Sequence, residues 1–228
     1  MSMDSILIAI PAYNAESSLS GMIAQLRYYL SNLVSFDIMV VDDGSSDQTS
    51  SIAKSLGVLL IHHQRNLGKG AALKTAFQYA LQKDYQAVVT IDSDLQHDPA
   101  SLPSMLECYK TESYDLLIGA RTFDSKKMSL SRILSNYITS KLISFRTKQT
   151  IPDSQSGYRI IKTKTLRDLI LKTSRFETES EILIRLAQKN CTIGFYPIDT
   201  IYAGEKSNIR HIEDTIRFIK MYISTFFD

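Results

Sequence analysis

Apolar positions in the first half of the chain fall into short runs that alternate with helix-spaced stripes. Ile6–Ile10 is an apolar run closed by Pro11. Leu19, Met22, Ile23, Leu26, Leu30 and Leu33 recur at three- and four-residue intervals, which predicts a helix over 18–33. Ile38–Val41 reads as a second strand, 48–56 as a short helix stopped by Gly57, and Val58–Ile61 as a third strand. A helix over 71–81, a strand at Ala87–Ile91, a helix over 101–109 and a strand at Asp115–Ile118 complete the series. Strands this short and apolar, separated by helices, imply parallel pairing with helices on both faces. In such sheets ligands gather beyond the carboxyl ends of the strands.

From Met128 onward the order changes. The pattern predicts a long amphipathic helix over 130–145, a strand at Arg159–Lys162 and helices over 165–171 and 179–189. A strand at Thr192–Pro197 and a last helix from about residue 209 follow. No repeat, low-complexity tract or Pro/Gly/Ser-rich linker interrupts the chain, so 1–228 is expected to be a single α/β domain.

Composition narrows the picture by exclusion. The 26 Lys and Arg nearly balance 24 Asp and Glu, so no overall field argues for nucleic acid. The two cysteines, Cys108 and Cys191, lack zinc-ligand spacing and read as reduced thiols of a cytosolic chain. Nothing approaches the roughly 20 apolar residues of a spanning helix, and the first apolar run lacks a basic leader. The expectation is a soluble protein, or one held to a membrane only at its surface.

The strand ends carry the chemistry. The first reads Pro11-Ala12-Tyr13-Asn14-Ala15-Glu16, the second Asp42-Asp43-Gly44-Ser45-Ser46-Asp47 and the fourth Asp92-Ser93-Asp94-Leu95-Gln96-His97-Asp98-Pro99. Parallel strands thus deliver several carboxylates to one rim, which is unfavourable unless something positive is bound there. Asp92 and Asp94, two apart, can point the same way. With the amide oxygen of Gln96 they suit Mg²⁺ or Mn²⁺, which share their coordination sphere with waters and substrate phosphates. Asp98 before Pro99 reads as a helix cap. Of Asp42 and Asp43, one fits turn chemistry and the other a hydrogen bond to the N–H edge of a base. Arg65-Asn66-Leu67-Gly68-Lys69-Gly70 opens the next helix with a cation and two glycines. Walker and GxGxxG patterns are absent, which removes support for P-loop and Rossmann dinucleotide chemistry.

Taken together, Pro11-Ala12-Tyr13-Asn14, Val41-Asp42-Asp43-Gly44-Ser45, Asn66-Leu67-Gly68-Lys69-Gly70 and Asp92-Ser93-Asp94-Leu95-Gln96 resemble family 2 inverting glycosyltransferases of the GT-A fold. Asp153-Ser154-Gln155-Ser156-Gly157-Tyr158-Arg159 is similar to a stretch of the family's polyprenyl-phosphate branch, which includes dolichyl-phosphate mannose and glucose synthases. The resemblance implies a mostly parallel sheet, with 1–120 binding a UDP- or GDP-sugar and 121–228 serving the acceptor. It places Pro11, Tyr13, Glu16 and one of Asp42 and Asp43 around the base, and Lys69 and Ser93 on the nucleotide-sugar. Asp92 reaches the ribose or the metal, Asp94 and Gln96 hold the metal, and Arg121 neutralises phosphate. Ala15 departs from the acid found in many relatives, leaving Glu16 as the carboxylate there.

Two acceptors stay open: a polyprenyl phosphate at the cytoplasmic membrane face, or a saccharide hydroxyl. A catalytically silent partner of a membrane glycosyltransferase is the alternative outside enzymology. Residues 121–150 carry Arg121, Lys126, Lys127, Arg132, Lys141, Arg146 and Lys148 against Asp124 alone. The stripe Leu130, Ile133, Leu134, Tyr137, Ile138 and Leu142 runs beside them, the pattern of a surface-lying basic helix or of a core-facing one. By resemblance Arg132, Ser135 and Arg159 attend the acceptor and Asp153 is the candidate general base. His97 adjoins the metal motif. Ile212, Ile216, Ile219 and Ile223 of the last helix are expected to pack, and the loop 206–210 to act as a lid.

Overall fold

The computed structural model describes residues 5–31, 35–122, 130–199, 201 and 211–227, and the side chains of 130–132 and 211–212 stand outside that description. Seven strands form one sheet: β1 (Ile6–Ala12), β2 (Phe36–Asp42), β3 (Leu59–His62), β4 (Ala87–Thr90), β5 (Leu116–Arg121), β6 (Arg159–Lys162) and β7 (Ile193–Ile198). Their spatial order is β3-β2-β1-β4-β6-β5-β7. All pairings are parallel except those of β6, which runs antiparallel to both β4 and β5.

Alternation along β1 builds two cores from one strand. Ile6, Ile8 and Ile10 enter the cluster under α1 (Leu19–Leu30) and α4 (Leu102–Glu112). Leu7 and Ala9 enter the opposite cluster, under α3 (Lys69–Gln82) and α6 (Glu177–Gln188). Burial on both faces is why these strands read as unbroken apolar runs.

Topology then gathers the site. β1 lies between β2 and β4, so the chain leaves it in opposite directions and a crevice opens at its carboxyl end. β6 is reversed, so its beginning meets the end of β4, with Thr90 opposite Arg159. The segment 153–158 therefore arrives at the rim that holds Asp92, and Thr90 Oγ1 donates to Gly157 O at 2.7 Å.

Two expectations change, and one open alternative is decided. The helix expected over 165–171 is a 3₁₀ turn, Thr163–Leu166, followed by irregular chain. Just beyond it the Glu181 carboxylate accepts from the Lys172 and Thr173 amides at 3.0 Å each, satisfying them without a helical ladder. In α5 (Leu130–Thr147), whose stripe suited a surface-lying or a core-facing helix, the polar side turns inward and the stripe outward. Asn136, Ser140 and Ile143 are buried, whereas Leu134, Tyr137, Ile138, Leu142 and Phe145 are exposed. The second change is in α7 (His211–Ser224), which buries Met221 and leaves Ile216, Ile219 and Ile223 about half exposed instead of packed. The two helices touch: Tyr222 Oη donates to Leu142 O at 3.0 Å, and Arg146 donates to Thr225 O and lies over the Phe226 ring. Lys126, Lys127 and the 206–210 loop fall outside the described residues.

Candidate active site

The end of β1 is sewn to the end of β2 by side chains that cap one another's backbone. Asn14 sits in the left-handed region at φ 51°, a conformation Asn tolerates. Its amide donates to Ser45 Oγ at 2.8 Å and its Oδ1 accepts from the Ser46 amide at 2.9 Å. Glu16 Oε2 accepts from the Gln48 amide at 3.0 Å, just ahead of α2 (Thr49–Ser55). Pro11 is partly buried at the rim, and the Tyr13 ring is exposed there.

Asp42 and Asp43 are both buried and both engaged. Asp42 accepts from the Ser45 amide at 3.0 Å and from Ser50 Oγ, and lies 3.1 Å from His62 Nδ1. Burial works against its carboxylate, but the hydrogen bonds from Ser45, Ser50 and His62 outweigh it and hold the acid below its usual range. Asp43 reaches into the next loop, accepting from the Leu67 amide at 3.0 Å and the Gly68 amide at 2.7 Å. His63 Nδ1 lies 2.7 Å away on the same carboxylate. Asp43 thereby fixes the start of α3, and with it the position of Lys69.

Lys69 Nζ lies 2.5 Å from Asp92 Oδ1 and 2.8 Å from Glu179 Oε1. Burial disfavours its charge, yet the two carboxylates reverse that and raise its pKa. Burial likewise opposes the charge of Asp92, and Lys69 overcomes it. Gly157 leaves room for this contact: a Cβ there would sit 2.7 Å from both Asp92 Oδ2 and Lys69 Nζ, and one of them would have to shift. Glu179 escapes sequence reasoning because acids in the first turn of a helix are ordinary surface residues. Only the packing of α6 buries this one.

The metal candidates follow β4 as a tight turn. The Gln96 amide donates to Asp94 Oδ1 at 3.0 Å, and Leu95 is held at φ 59°, an unfavourable region for a bulky side chain. Leu95 packs on the core, which keeps the turn in that conformation. Ser93, Asp94 and Gln96 are partly exposed. Among the described residues no three His, Cys, Asp or Glu converge as a complete cage. Two rim carboxylates and an amide nevertheless fit Mg²⁺ or Mn²⁺, ions that take one or two carboxylates and complete their sphere from phosphates and water. His97 is buried with Nδ1 unpartnered, and its ring packs against Tyr158, whose hydroxyl is also unpartnered. Burial drives the His97 pKa down to about 4, so the ring is neutral near pH 7.

Arg121 ends β5 and forms a bidentate pair with Asp153, at 2.7 Å from Nε and 2.9 Å from a terminal nitrogen. Asp153 also accepts from Asn136 Nδ2, the Gln155 amide and the Arg121 amide. Its solvent exposure is nil. Burial alone would raise its pKa, and the Arg121 hydrogen bonds and charge bring it below the usual value. The residue expected as general base thus has both oxygens engaged within the protein, where its carboxylate holds Arg121. Arg159, expected to attend the acceptor, is likewise turned into the protein. It is buried and donates to the carbonyls of Ser156, Glu179 and Ser154, so it braces the rim from below. Ser135 is exposed on α5, one residue from Asn136, and the Arg132 side chain falls outside the described residues.

Comparison with known proteins gives the family and the fold. Residues 7–170 match Glycosyl transferase family 2. A UDP-N-acetylglucosamine–dolichyl-phosphate N-acetylglucosaminyltransferase of Methanococcus voltae is 30% identical over 220 residues, covering 86% of each chain. An undecaprenyl-phosphate mannosyltransferase of Micrococcus luteus is 31% identical over 174 residues, covering 73% of this chain and 70% of that one. In structure, glucosyl-3-phosphoglycerate synthase of Mycobacterium tuberculosis, solved with Mn²⁺, UDP and its product, superposes with a TM-score of 0.74 at 19% identity, covering 97% of this chain and 79% of that one. With the motifs in order on one rim and the GT-A architecture around them, the chain belongs to glycosyl transferase family 2.

Proposed function

We propose that this protein transfers a sugar from a UDP- or GDP-sugar to a polyprenyl phosphate at a membrane surface. The observation that carries the reading is the placement of α5. Its inward face supplies Asn136 to the Asp153–Arg121 pair at the rim, while its outward face exposes Tyr137 and Phe145, 60% and 77% accessible. One helix thus joins the site to an apolar surface. Ile219 and Ile223 of the last helix and Phe227 beyond it are exposed as well, and Lys141 and Arg146 sit over the Tyr137 and Phe226 rings. Apolar area with basic and aromatic edges is the composition of a helix lying in a lipid interface. Among the described residues no helix is long and apolar enough to cross a membrane. The names of the Methanococcus and Micrococcus relatives support the same acceptor class.

In this reading Tyr13 and the β1–β2 loops receive the base, Lys69 and Ser93 the phosphates and sugar, and Asp92, Asp94 and Gln96 hold the divalent metal. A metal bound there would supply positive charge to the departing diphosphate. Arg121, fixed by Asp153, adds a preorganised cation at the rim. An acceptor phosphate oxygen attacks the anomeric carbon as the bond from that carbon to the diphosphate oxygen breaks, and the nucleoside diphosphate leaves with the electron pair. A phosphate monoester is largely ionised near pH 7, so the step requires no proton acceptor. That agrees with an Asp153 that only positions.

The test is a thermal-shift panel of UDP, GDP and their sugar conjugates with and without Mn²⁺, followed by transfer of labelled sugar to polyprenyl phosphate in vesicles. A metal-dependent rise in Tm with one nucleotide identifies the donor, since a ligand specific to the folded state must stabilise it. No shift with any nucleotide would refute the donor site. Transfer to a soluble saccharide but not to the lipid phosphate would move the acceptor to a sugar hydroxyl.

A further inference from the structure

Lys69 divides its charge between acids that come from distant parts of the chain. Asp92 follows β4 and retains 25% side-chain exposure, whereas Glu179 lies in the first turn of α6 with 6%. The two carboxylates are not equivalent. Asp92 faces the rim, and a cation binding Asp92 Oδ1 competes with the ammonium 2.5 Å away. Glu179 faces only protein, and its backbone carbonyl accepts from Arg159 at 2.7 Å, which pins that turn of α6. On the other side, the grip of Asp43 on the Gly68 amide pins the turn that carries Lys69. Between two fixed backbones the long lysine side chain is the part free to swing. A buried ammonium leaving Asp92 must keep a counter-charge, and Glu179 Oε1, 2.8 Å away, is in place to provide it.

We propose that Glu179 is a positioning residue that retains the Lys69 ammonium when a divalent metal takes Asp92, and so sets how readily Asp92 is released to the metal. The inference rests on the metal reading of Asp92 and Asp94.

The experiment is a double-mutant cycle on the whole protein. Mn²⁺ binding is read from the free-ion electron paramagnetic resonance signal, alone and with saturating UDP or GDP, for wild type, Glu179→Gln, Lys69→Met and the double variant. Urea unfolding confirms that each variant is folded. With Lys69 present, Glu179→Gln should weaken Mn²⁺ binding about tenfold, the size expected for groups sharing one ion-pair network. In the Lys69→Met background the same change should cost less than about twofold. Equal losses in both backgrounds would mean that Glu179 acts only as a nearby negative charge, and would overturn the proposal while leaving the metal site intact. Absence of Mn²⁺ binding by the wild type under every condition would remove the metal reading and this inference together. Should Glu179→Gln fail to fold, Glu179→Asp keeps the charge and withdraws it by one methylene. Weakened Mn²⁺ binding in that variant supports the proposal, and unchanged binding overturns it.

Discussion

Replacing Asp153 by Asn separates an anchor from a base. Asp153 has no solvent exposure and is paired through both oxygens with Arg121, whose side chain is itself only 15% exposed. Asn preserves shape but removes the charge and turns one acceptor into a donor facing a guanidinium. Breaking one side of a buried ion pair costs about 3–5 kcal/mol, because the remaining charge is left uncompensated. For a chain of this size each kcal/mol lowers Tm by about 2–4 °C, so Asp153→Asn should melt about 6–20 °C below wild type. The double variant Arg121→Gln/Asp153→Asn should regain part of that loss, since no lone charge remains. The sign with pH follows from the depressed acid. Stability from a carboxylate whose folded pKa is lowered is present above its unfolded value of about 3.9 and is lost as pH falls through the folded value. The gap in Tm between wild type and Asp153→Asn should therefore be full at pH 7 and close in strong acid. Differential scanning fluorimetry across pH, with transfer assayed below both melting temperatures, reads the outcome. An Asn variant as stable as wild type but with turnover down a hundredfold or more would refute the anchor role and restore the base.

Three further outcomes follow from the same contacts. Gly157→Ala inserts a methyl 2.7 Å from Asp92 Oδ2 and Lys69 Nζ, so overpacking of about 1–3 kcal/mol is expected together with weakened Mn²⁺-dependent nucleotide binding, measured by calorimetry. Asp43→Asn releases the Leu67 and Gly68 amides from a charged acceptor, at roughly 1.5–3 kcal/mol per bond, so urea unfolding should show reduced stability and nucleotide affinity should fall as Lys69 loses its fixed origin. Tyr137→Glu with Phe145→Glu places charge on the exposed face of α5, so co-sedimentation with anionic vesicles should be lost while Tm and nucleotide binding hold; vesicle binding equal to wild type would remove that face from the membrane reading.

The rim was legible in the sequence because its parts are local. Asp42, Asp92 and Asp94 follow apolar runs that can only be buried strands, and parallel strands of an α/β sheet end on the same side. Gly68-Lys69-Gly70 opens a helix, so its cation had to lie near that rim. What each side chain does there was not legible, because that depends on residues far away in the chain. Asp153 and Arg159 have the residue types of a base and a phosphate ligand, but the reversed strand β6 turns Arg159 inward, and the Arg121–Asn136 pair closes around Asp153. Glu179 enters the site only because α6 packs against α3. The stripe on α5 had a helical period that suits a surface-lying helix and a core-facing one alike. Periodicity fixes which residues share a face but not which way that face points, and here Asn136 and Ser140 won the inward side because buried polar groups at the rim required them as partners. The sequence by itself determined the strands, the rim and the family-specific order of its acids. Tertiary packing alone decided which charges are neutralised within the protein and which face the ligand, since the energy of a charge depends on what surrounds it in space rather than what precedes it in the chain.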